Sequence, residues 1–429
     1  MWEYYSGKVI FITGASGFLG TVLVYRICSQ APVDHIYLLS RGGLPRLEAK
    51  WHEHLPSKYI ECLYDAKLVT VIKGDVVEPN LGIDENCLET LRERVNIVIH
   101  AASSIRLSGS LEQLSKPIIH GSERIVNYSL QCHQLDRFVY VSTAYANAFL
   151  YQESADIDPY VEEKIYPLAQ GEKRDVHAEW GEVQKQGESK EYNAHSFPWP
   201  YGYAKHLTER LVLDKFTATG KAEKLLILRP SIIAPAQSFP YRGFSVPKST
   251  PTTVLAAGLI ITPTLVTRMA SRAKDPERQG TIDEVPVDVV VDRLLAHLAK
   301  GTTGPVHAVS GARARYQFRA FWKEAMELRR LPWPLWKRWL DVDWRSSSLH
   351  PIARIYVLYA ASYHFSEEKT LSLWKSLGEE EKSGLQWFTA SSEGQVGLAA
   401  RVEQIRFVAR HFASKSLLGR ILFRLFYSS

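Results

Sequence analysis

The chain has 429 residues, more than one small domain holds, and its 45% hydrophobic and 23% charged content is ordinary globular composition with ample material for a core. Its formal charge of +6 is spread along the sequence, and no Lys/Arg block alternates with aromatics, which excludes a nucleic-acid binder. Cys28, Cys62, Cys87 and Cys132 form no CxxC pair and stand beside no histidine cluster, so neither a disulfide framework nor a metal site is expected, and the expected compartment is the reducing cytoplasm.

No signal peptide is expected at the N-terminus. Residues 8–13 (KVIFIT) are β-branched and apolar and read as a buried parallel strand. Gly14-Ala-Ser-Gly17-Phe-Leu-Gly20 follows, and then TVLVYRIC with helical apolar spacing. Strand, glycine-rich bend and helix in this order make a dinucleotide site. Gly14 permits the tight turn, Gly17 lets backbone approach a diphosphate, Gly20 lets helix and strand pack closely, and the helix N-terminus stabilises the phosphate charge. The spacing is GxxGxxG, the short-chain dehydrogenase/reductase variant. The second strand, 35–39, ends before Ser40-Arg41-Gly42-Gly43. NAD sites place a carboxylate there for the ribose 2′-hydroxyl; Arg41 suits a 2′-phosphate instead, which favours NADPH. Asp75 ends a third strand, where an adenine amino group is met, and Ala101 and Ala102 end a fourth, where small residues let a cofactor pass.

A fifth strand, Arg137–Val141, runs into Ser142 and Thr143. A hydroxyl there faces the nicotinamide and holds a substrate carbonyl. Its partner is a Tyr and a Lys four residues apart on one helical face: the ammonium lowers the phenol's pKa and holds the ribose, and the phenol gives a proton as hydride arrives. Three Tyr-x-x-x-Lys pairs occur. Tyr4/Lys8 lies at the wrong end of the first strand, and Tyr160/Lys164 sits in an acidic stretch without helical periodicity. Tyr201/Lys205 follows Pro200, continues with Tyr203, Leu207 and Leu211 on one apolar face, and precedes a sixth strand at 225–228. It is the expected catalytic pair.

Residues 151–198 form a polar connection whose length reads as a functional insertion or a lid. AGLIITPTLV, within the apolar stretch from Thr252 to Val266 that is too short to span a bilayer, reads either as the lining of an acyl tunnel or as a core helix. Residues 305–310 (PVHAVS) read as the last core strand. Beyond 310 lie seven of the eleven tryptophans, Trp322, Trp333, Trp336, Trp339, Trp344, Trp374 and Trp387, in a mostly helical cap. The tail KSLLGRILFRLFYSS, with Arg420 and Arg424, reads either as an interfacial amphipathic helix or as a helix packed on the body.

The motifs GASGFLG (14–20), GDVVEPNLG (74–82), VSTAYAN (141–147), EEKIYP (162–167), PYGYAK (200–205), ILRPSIIAP (227–235) and DEVPVDVVVD (283–292) come in the order found in the fatty acyl-CoA reductases, extended short-chain dehydrogenase/reductases with a male-sterility type NAD-binding domain, and the chain resembles that family over about its first 310 residues. The resemblance implies an α/β fold of Rossmann type with a doubly wound parallel sheet. It implies an NADPH-binding core over 1–310 that includes cleft segments 151–200 and 231–300, and a C-terminal cap over 311–429. Its catalytic set maps onto Thr143, Tyr201 and Lys205. Its cofactor set maps onto Gly14, Ser16, Gly17, Phe18, Leu19, Gly20, Arg41, Asp75, Val76, Ala101, Lys205, Pro230 and Ser231. The EEKIYP stretch is expected to be structural. The implied reaction is reduction of an acyl-CoA or carrier-bound thioester by NADPH to an aldehyde or alcohol. The chain departs from the family at Pro240–Phe244 and before Tyr201, which keeps a ketone or aldehyde reductase of a specialised pathway, a non-redox epimerase or lyase, and a non-catalytic binding module as alternatives.

Overall fold

A computed structural model gives the structure and describes residues 1–63, 68–107, 109–168, 175–340, 342, 357–390 and 396–427, without the side chains of 62, 357 and 358. Trp344, the end of the tail at 428–429 and part of the 151–198 connection lie outside the described residues.

Seven parallel strands form the central sheet: β1 (Val9–Thr13), β2 (His35–Ser40), β3 (Val69–Lys73), β4 (Ile97–His100), β5 (Arg137–Val141), β6 (Leu225–Pro230) and β7 (Gly304–Ala308). Their order is β7-β6-β5-β4-β1-β2-β3, with Thr13 in register with both Leu39 and His100. Every residue of β1, β5 and β6 is buried, as expected of strands covered on both faces. The helices used below are α1 (Phe18–Gln30), α2 (Gly43–His54), α3 (Gly121–Gln131), α4 (Pro200–Ala218), α5 (Pro251–Ile261), α6 (Val287–Ala299), α7 (Phe318–Glu327), α8 (Val402–Ala413) and α9 (Leu417–Tyr427). α1 and α6 cover one face through Val22, Leu23, Val290 and Leu294. α3 and α4 cover the other, where Phe216 meets Phe138 at 5.1 Å.

A further core lies beyond the sheet. α5 buries Leu255, Ala256, Leu259 and Ile260 in one cluster with Ile405 and Val408 of α8 and Phe423 of α9. The first half of AGLIITPTLV, 257–261, is therefore the end of a core helix, the second of its two readings, whereas 263–266 lie beyond it and are exposed. The segment after 310 is largely helical, but its strands pair with earlier chain: Trp336–Leu340 with Val266–Ala270, and His364–Phe365 with Tyr160–Val161. The described residues of the 151–198 connection pack as a layer on the body. Asp175 and Ser189 cap helices at Val176–Gln186 and Lys190–Ala194, and Trp180 and Val183 pack with Leu207 and Leu211 of α4. Among the described residues no helix is long and apolar enough to cross a membrane.

Two quoted motifs turn out to be cross-links. The four acids of 283–292 are all buried. Asp283 accepts from the Ser231 hydroxyl (2.6 Å) and the Ser310 and Gly311 amides; Glu284 pairs with Arg401 at 2.7 Å. Asp288 accepts three amides, from Gln237, Ser238 and Phe239; Asp292 pairs with Arg26 at 2.7 Å and takes the Gln386 amide. In 162–167, Glu163 accepts the amides of His307 and Lys369, both at 2.9 Å, and the Lys164 carbonyl accepts from Arg229, which is itself buried against Glu209. A buried carboxylate is tolerable only with such partners, so these motifs fix how segments remote in sequence meet.

Candidate active site

The glycine bend lies between β1 and β4, where the strand order reverses and open α/β sheets bind ligands. Gly14 has φ +84°, and a Cβ there would come within 2.6 Å of the Ala102 amide nitrogen; a Cβ on Gly20 would meet the Gly14 carbonyl oxygen at 2.1 Å. Neither position tolerates a side chain. Gly17 is the N-cap of α1 and supplies no capping side chain, so the helix presents its first amides uncapped. Phe18 and Leu19 are buried, while Ser16 and Gly17 face outward.

A hydrogen-bond network steadies the facing strand end. The Ala102 amide donates to Thr13 Oγ1 (3.2 Å), and Thr13 Oγ1 lies 2.7 Å from His100 Nδ1. Ser122 Oγ donates to the Ile118 carbonyl, so it accepts from His100 Nε2 at 3.0 Å. That assigns the proton to Nε2 and leaves Nδ1 to accept from Thr13. Burial pushes His100 down to about 3, with the nearby Lys205 adding to it. Ala101 donates to the Thr13 carbonyl. At the end of β3, Asp75 Oδ1 caps the Val77 amide, and Val76 is buried against Gly121.

At the end of β2, Arg41 is exposed beside a cavity of about 350 Å³. The cavity is lined by Ser16 and Gly17 of the bend, by Arg41, and by Arg46, Lys50 and His54 of α2. The sequence reading named only Arg41. The others recur at i, i+4 and i+8 along α2, a basic stripe on one face that the sequence does display.

The other part of the candidate site is built by β5 and α4. β5 delivers Ser142 and Thr143, and the turn Ala144–Asn147 then packs against α4 so closely that a Cβ on Gly202 would meet the Tyr145 carbonyl oxygen at 3.0 Å. Thr143 Oγ1 donates to the Pro230 carbonyl (3.4 Å) and accepts the Tyr145 amide (3.3 Å). The Ser142 hydroxyl is buried without a partner among the described residues. Pro200 starts α4, and Tyr201 and Lys205 lie one turn apart on it. Lys205 is buried, donates to the Val141 carbonyl at 2.8 Å and stands 4.8 Å from the Tyr140 ring. Burial brings its amine down to about 7, opposed by the Glu209 carboxylate. Burial alone pushes the Tyr201 phenol well above its ordinary value. The expected lowering by Lys205 is thus not seen, because the ammonium is held at Val141 and is itself weakened by desolvation.

Ser231 spends its hydroxyl on Asp283, so of the pair Pro230/Ser231 only the Pro230 carbonyl faces Thr143. The other tyrosine–lysine pairs have structural partners: Tyr4 and Lys8 both bind Asp136, and Lys164 pairs with Glu162 across a non-helical segment. Asn147 went unread in the sequence. It is 1% exposed and neither atom of its amide has a partner among the described residues. Leaving such a group unpaired costs roughly 1–3 kcal/mol, and its one sequence signal was its place in the VSTAYAN run.

A parallel seven-stranded sheet, a glycine bend at the switch point and a Tyr-x-x-x-Lys helix beside β5 define a Rossmann-like fold of the extended short-chain dehydrogenase/reductase type. Solved structures share it. The terminal R domain from the myxalamid PKS-NRPS biosynthetic pathway superposes with TM-score 0.61 at 16% identity, over 93% of this chain and 91% of that one. The reductase domain of a non-ribosomal peptide synthetase from Mycobacterium tuberculosis does so with TM-score 0.59 at 19% identity, over 95% and 92%. The UDP-glucuronic acid 4-epimerase from Bacillus cereus gives 0.55 at 15% identity, over 93% and 99%. The family model described as male sterility protein matches residues 12–294, and the chain belongs to that family. Its relatives include fatty acyl-CoA reductase 1 of Xenopus laevis, 28% identical over 306 residues, and that of Homo sapiens, 29% identical over 305. Each match covers 68% of this chain and 55% of the relative, so the chain spans about half the length of the curated relatives it matches.

Proposed function

We propose that the protein is an NADPH-dependent reductase of acyl thioesters, carried by CoA or by a carrier protein. The observation that carries the reading is the pairing of an uncappable glycine bend with Tyr201 and Lys205 on the helix that packs on the Thr143 turn. The residues fit a dinucleotide: a Cβ would fill the cradle at Gly14 and Gly20, and Arg41 supplies a cation where NAD sites need a carboxylate. Gly14, Gly17 and the first amides of α1 would hold the diphosphate, Arg41 the 2′-phosphate, and Lys205 the ribose. When bound, the nicotinamide supplies the hydride. Thr143 orients the thioester carbonyl, and Tyr201 delivers a proton to its oxygen as the carbon is reduced, giving a hemithioacetal. Collapse of that species releases an aldehyde and a thiolate, a good leaving group because thiols ionise near roughly 8.5. A second reduction by the same residues gives the alcohol.

Steady-state loss of NADPH against a panel of acyl-CoAs, with products identified, tests this. Two NADPH per acyl-CoA fits alcohol and one fits aldehyde. Turnover of ketones alone, with no acyl thioester reduced, would replace the reading with the ketone-reductase alternative.

A lipid surface belongs to the same reading. α9 buries Leu422, Phe423 and Tyr427 and leaves Leu417, Leu418, Ile421 and Leu425 exposed, so it is both packed and amphipathic. No acid follows Glu403, whereas Arg406, Arg410, Lys415, Arg420 and Arg424 do. This charge pattern fits an anionic bilayer. The protein is expected to sediment with phosphatidylserine-containing vesicles and not with phosphatidylcholine alone, and Leu418→Asp should weaken the binding about tenfold or more. Absence of sedimentation with anionic vesicles would remove this part of the reading.

A further inference from the structure

The cavity beside Arg41 has a second wall that comes from a different part of the chain. Opposite the bend and α2 it is closed by residues 246–249 and by Phe407 of α8. Residues 246–249 lead directly into α5, whose N-cap is Thr250. Their position is fixed at both ends. Phe244 is buried with its ring 5.8 Å from that of Phe18, the first residue of α1, and Ser245 Oγ donates to Gln404 of α8 at 2.6 Å. The Ser249 amide closes a turn onto the Val246 carbonyl, and within it Lys248 holds φ +68°, a left-handed conformation seldom adopted by a residue other than glycine. A conformation of this kind persists only where its surroundings impose it. Four cations, Arg41, Arg46, Lys50 and Lys248, thus line one cavity against a single carboxylate, Glu53, which already pairs with Lys50.

We infer that Lys248, brought across from the segment leading into α5, completes with Arg41, Arg46 and Lys50 a two-sided site for a dianionic phosphomonoester, the 2′-phosphate of NADPH. The inference rests on the NADPH reading and deepens it: cofactor choice is set jointly by the β2–α2 side and by the part of the chain that carries α5 and α8. A phosphate held by cations from two sides discriminates more strongly than one held by Arg41 alone, since each charged hydrogen bond to phosphate adds to the 2′-phosphate form only. Because Lys248 occupies a left-handed position, Lys248→Gly removes the charge while easing the backbone.

The experiment is calorimetric titration of the full chain with adenosine 2′,5′-bisphosphate and with 5′-AMP, for the wild type, Arg41→Ala, Lys248→Gly and Lys248→Arg. Lys248→Gly is expected to weaken the bisphosphate about tenfold and leave 5′-AMP unchanged, with a shallower salt dependence, and Lys248→Arg to retain most of the wild-type preference. An unchanged bisphosphate affinity in Lys248→Gly, with the preference lost in Arg41→Ala, would overturn the two-sided site and leave the NADPH reading standing. Equal affinity of the wild type for the two nucleotides would overturn the NADPH reading itself, and the site with it.

Discussion

Tyr201→Phe is expected to lower turnover about 10²- to 10⁴-fold while NADPH binding stays within about twofold. The change removes one hydroxyl. The ring keeps its packing at the edge of two clusters, and burial alone governs the phenol, so no folding interaction is lost with the oxygen. Lys205 and the glycine bend, which would hold the cofactor, are untouched. Turnover and NADPH fluorescence titration separate the two effects. Near-wild-type turnover would move the proton to another donor, and the unpartnered Ser142 hydroxyl is the first candidate. Lys205 adds a pH signature. Its amine is charged below about 7 and neutral above, so kcat/KM, which reports the free enzyme, is expected to fall as pH rises through that value. In Lys205→Met that limb should vanish at a uniformly low rate.

The parts of this site that the sequence disclosed are those whose geometry is local. A glycine bend between a strand and a helix, or a tyrosine and lysine one helical turn apart, is fixed by spacing alone, and both sit where the motif order placed them. That the sheet is parallel follows from repeated strand–helix alternation in the same way. The basic stripe of α2 was equally local, on the face beside the one that buries Leu47 and Trp51, but no glycine or catalytic motif drew attention to it. Other features were hidden because they depend on distant chain. Lys248 reaches the cavity beside Arg41 through tertiary contacts, of Phe244 with Phe18 and of Ser245 with Gln404, and the acids of 283–292 find Arg26, Gln386 and Arg401 from as far as 266 residues away. Segment 151–198 read only as a polar insertion or lid because the helices among its described residues are short and depend on caps at Asp175 and Ser189 and on burial against α4 for their stability.

Acid should unfold the protein from about pH 6.5 downward, before most of its carboxylates titrate. His100, His297 and His307 are all buried, and burial holds each near 3. Each is committed as a neutral ring. His100 accepts from Thr13, and His297 bridges Thr302 and Thr370. His307 donates Nδ1–H to the Ser366 carbonyl and has no partner at Nε2 among the described residues, so a second proton there finds no acceptor. The unfolded chain protonates these rings near 6.5, and the folded chain does not until about 3. Between those values the unfolded state binds more protons, and stability falls as pH falls, by about 1.4 kcal/mol per unit per ring. Asp292 works the other way: burial raises it to about 6, so it takes up a proton in the folded state first and offsets about one of the three rings between about 6 and 3.8. Over these four groups the balance is roughly 3 kcal/mol lost per pH unit below 6, against a total that for folded domains is about 5–15 kcal/mol; the buried His206, held well below its ordinary value, adds to the loss, and Glu163, Asp288 and Glu367, raised by burial, reduce it. The urea midpoint should therefore decline steeply between pH 6 and 4.5, and decline less steeply in His297→Gln; above pH 7 the buried Lys205, held at about 7 when folded, makes it rise further. A midpoint unchanged from pH 7 to 5 would mean that these rings are solvated or charged in the fold, contrary to their hydrogen bonds.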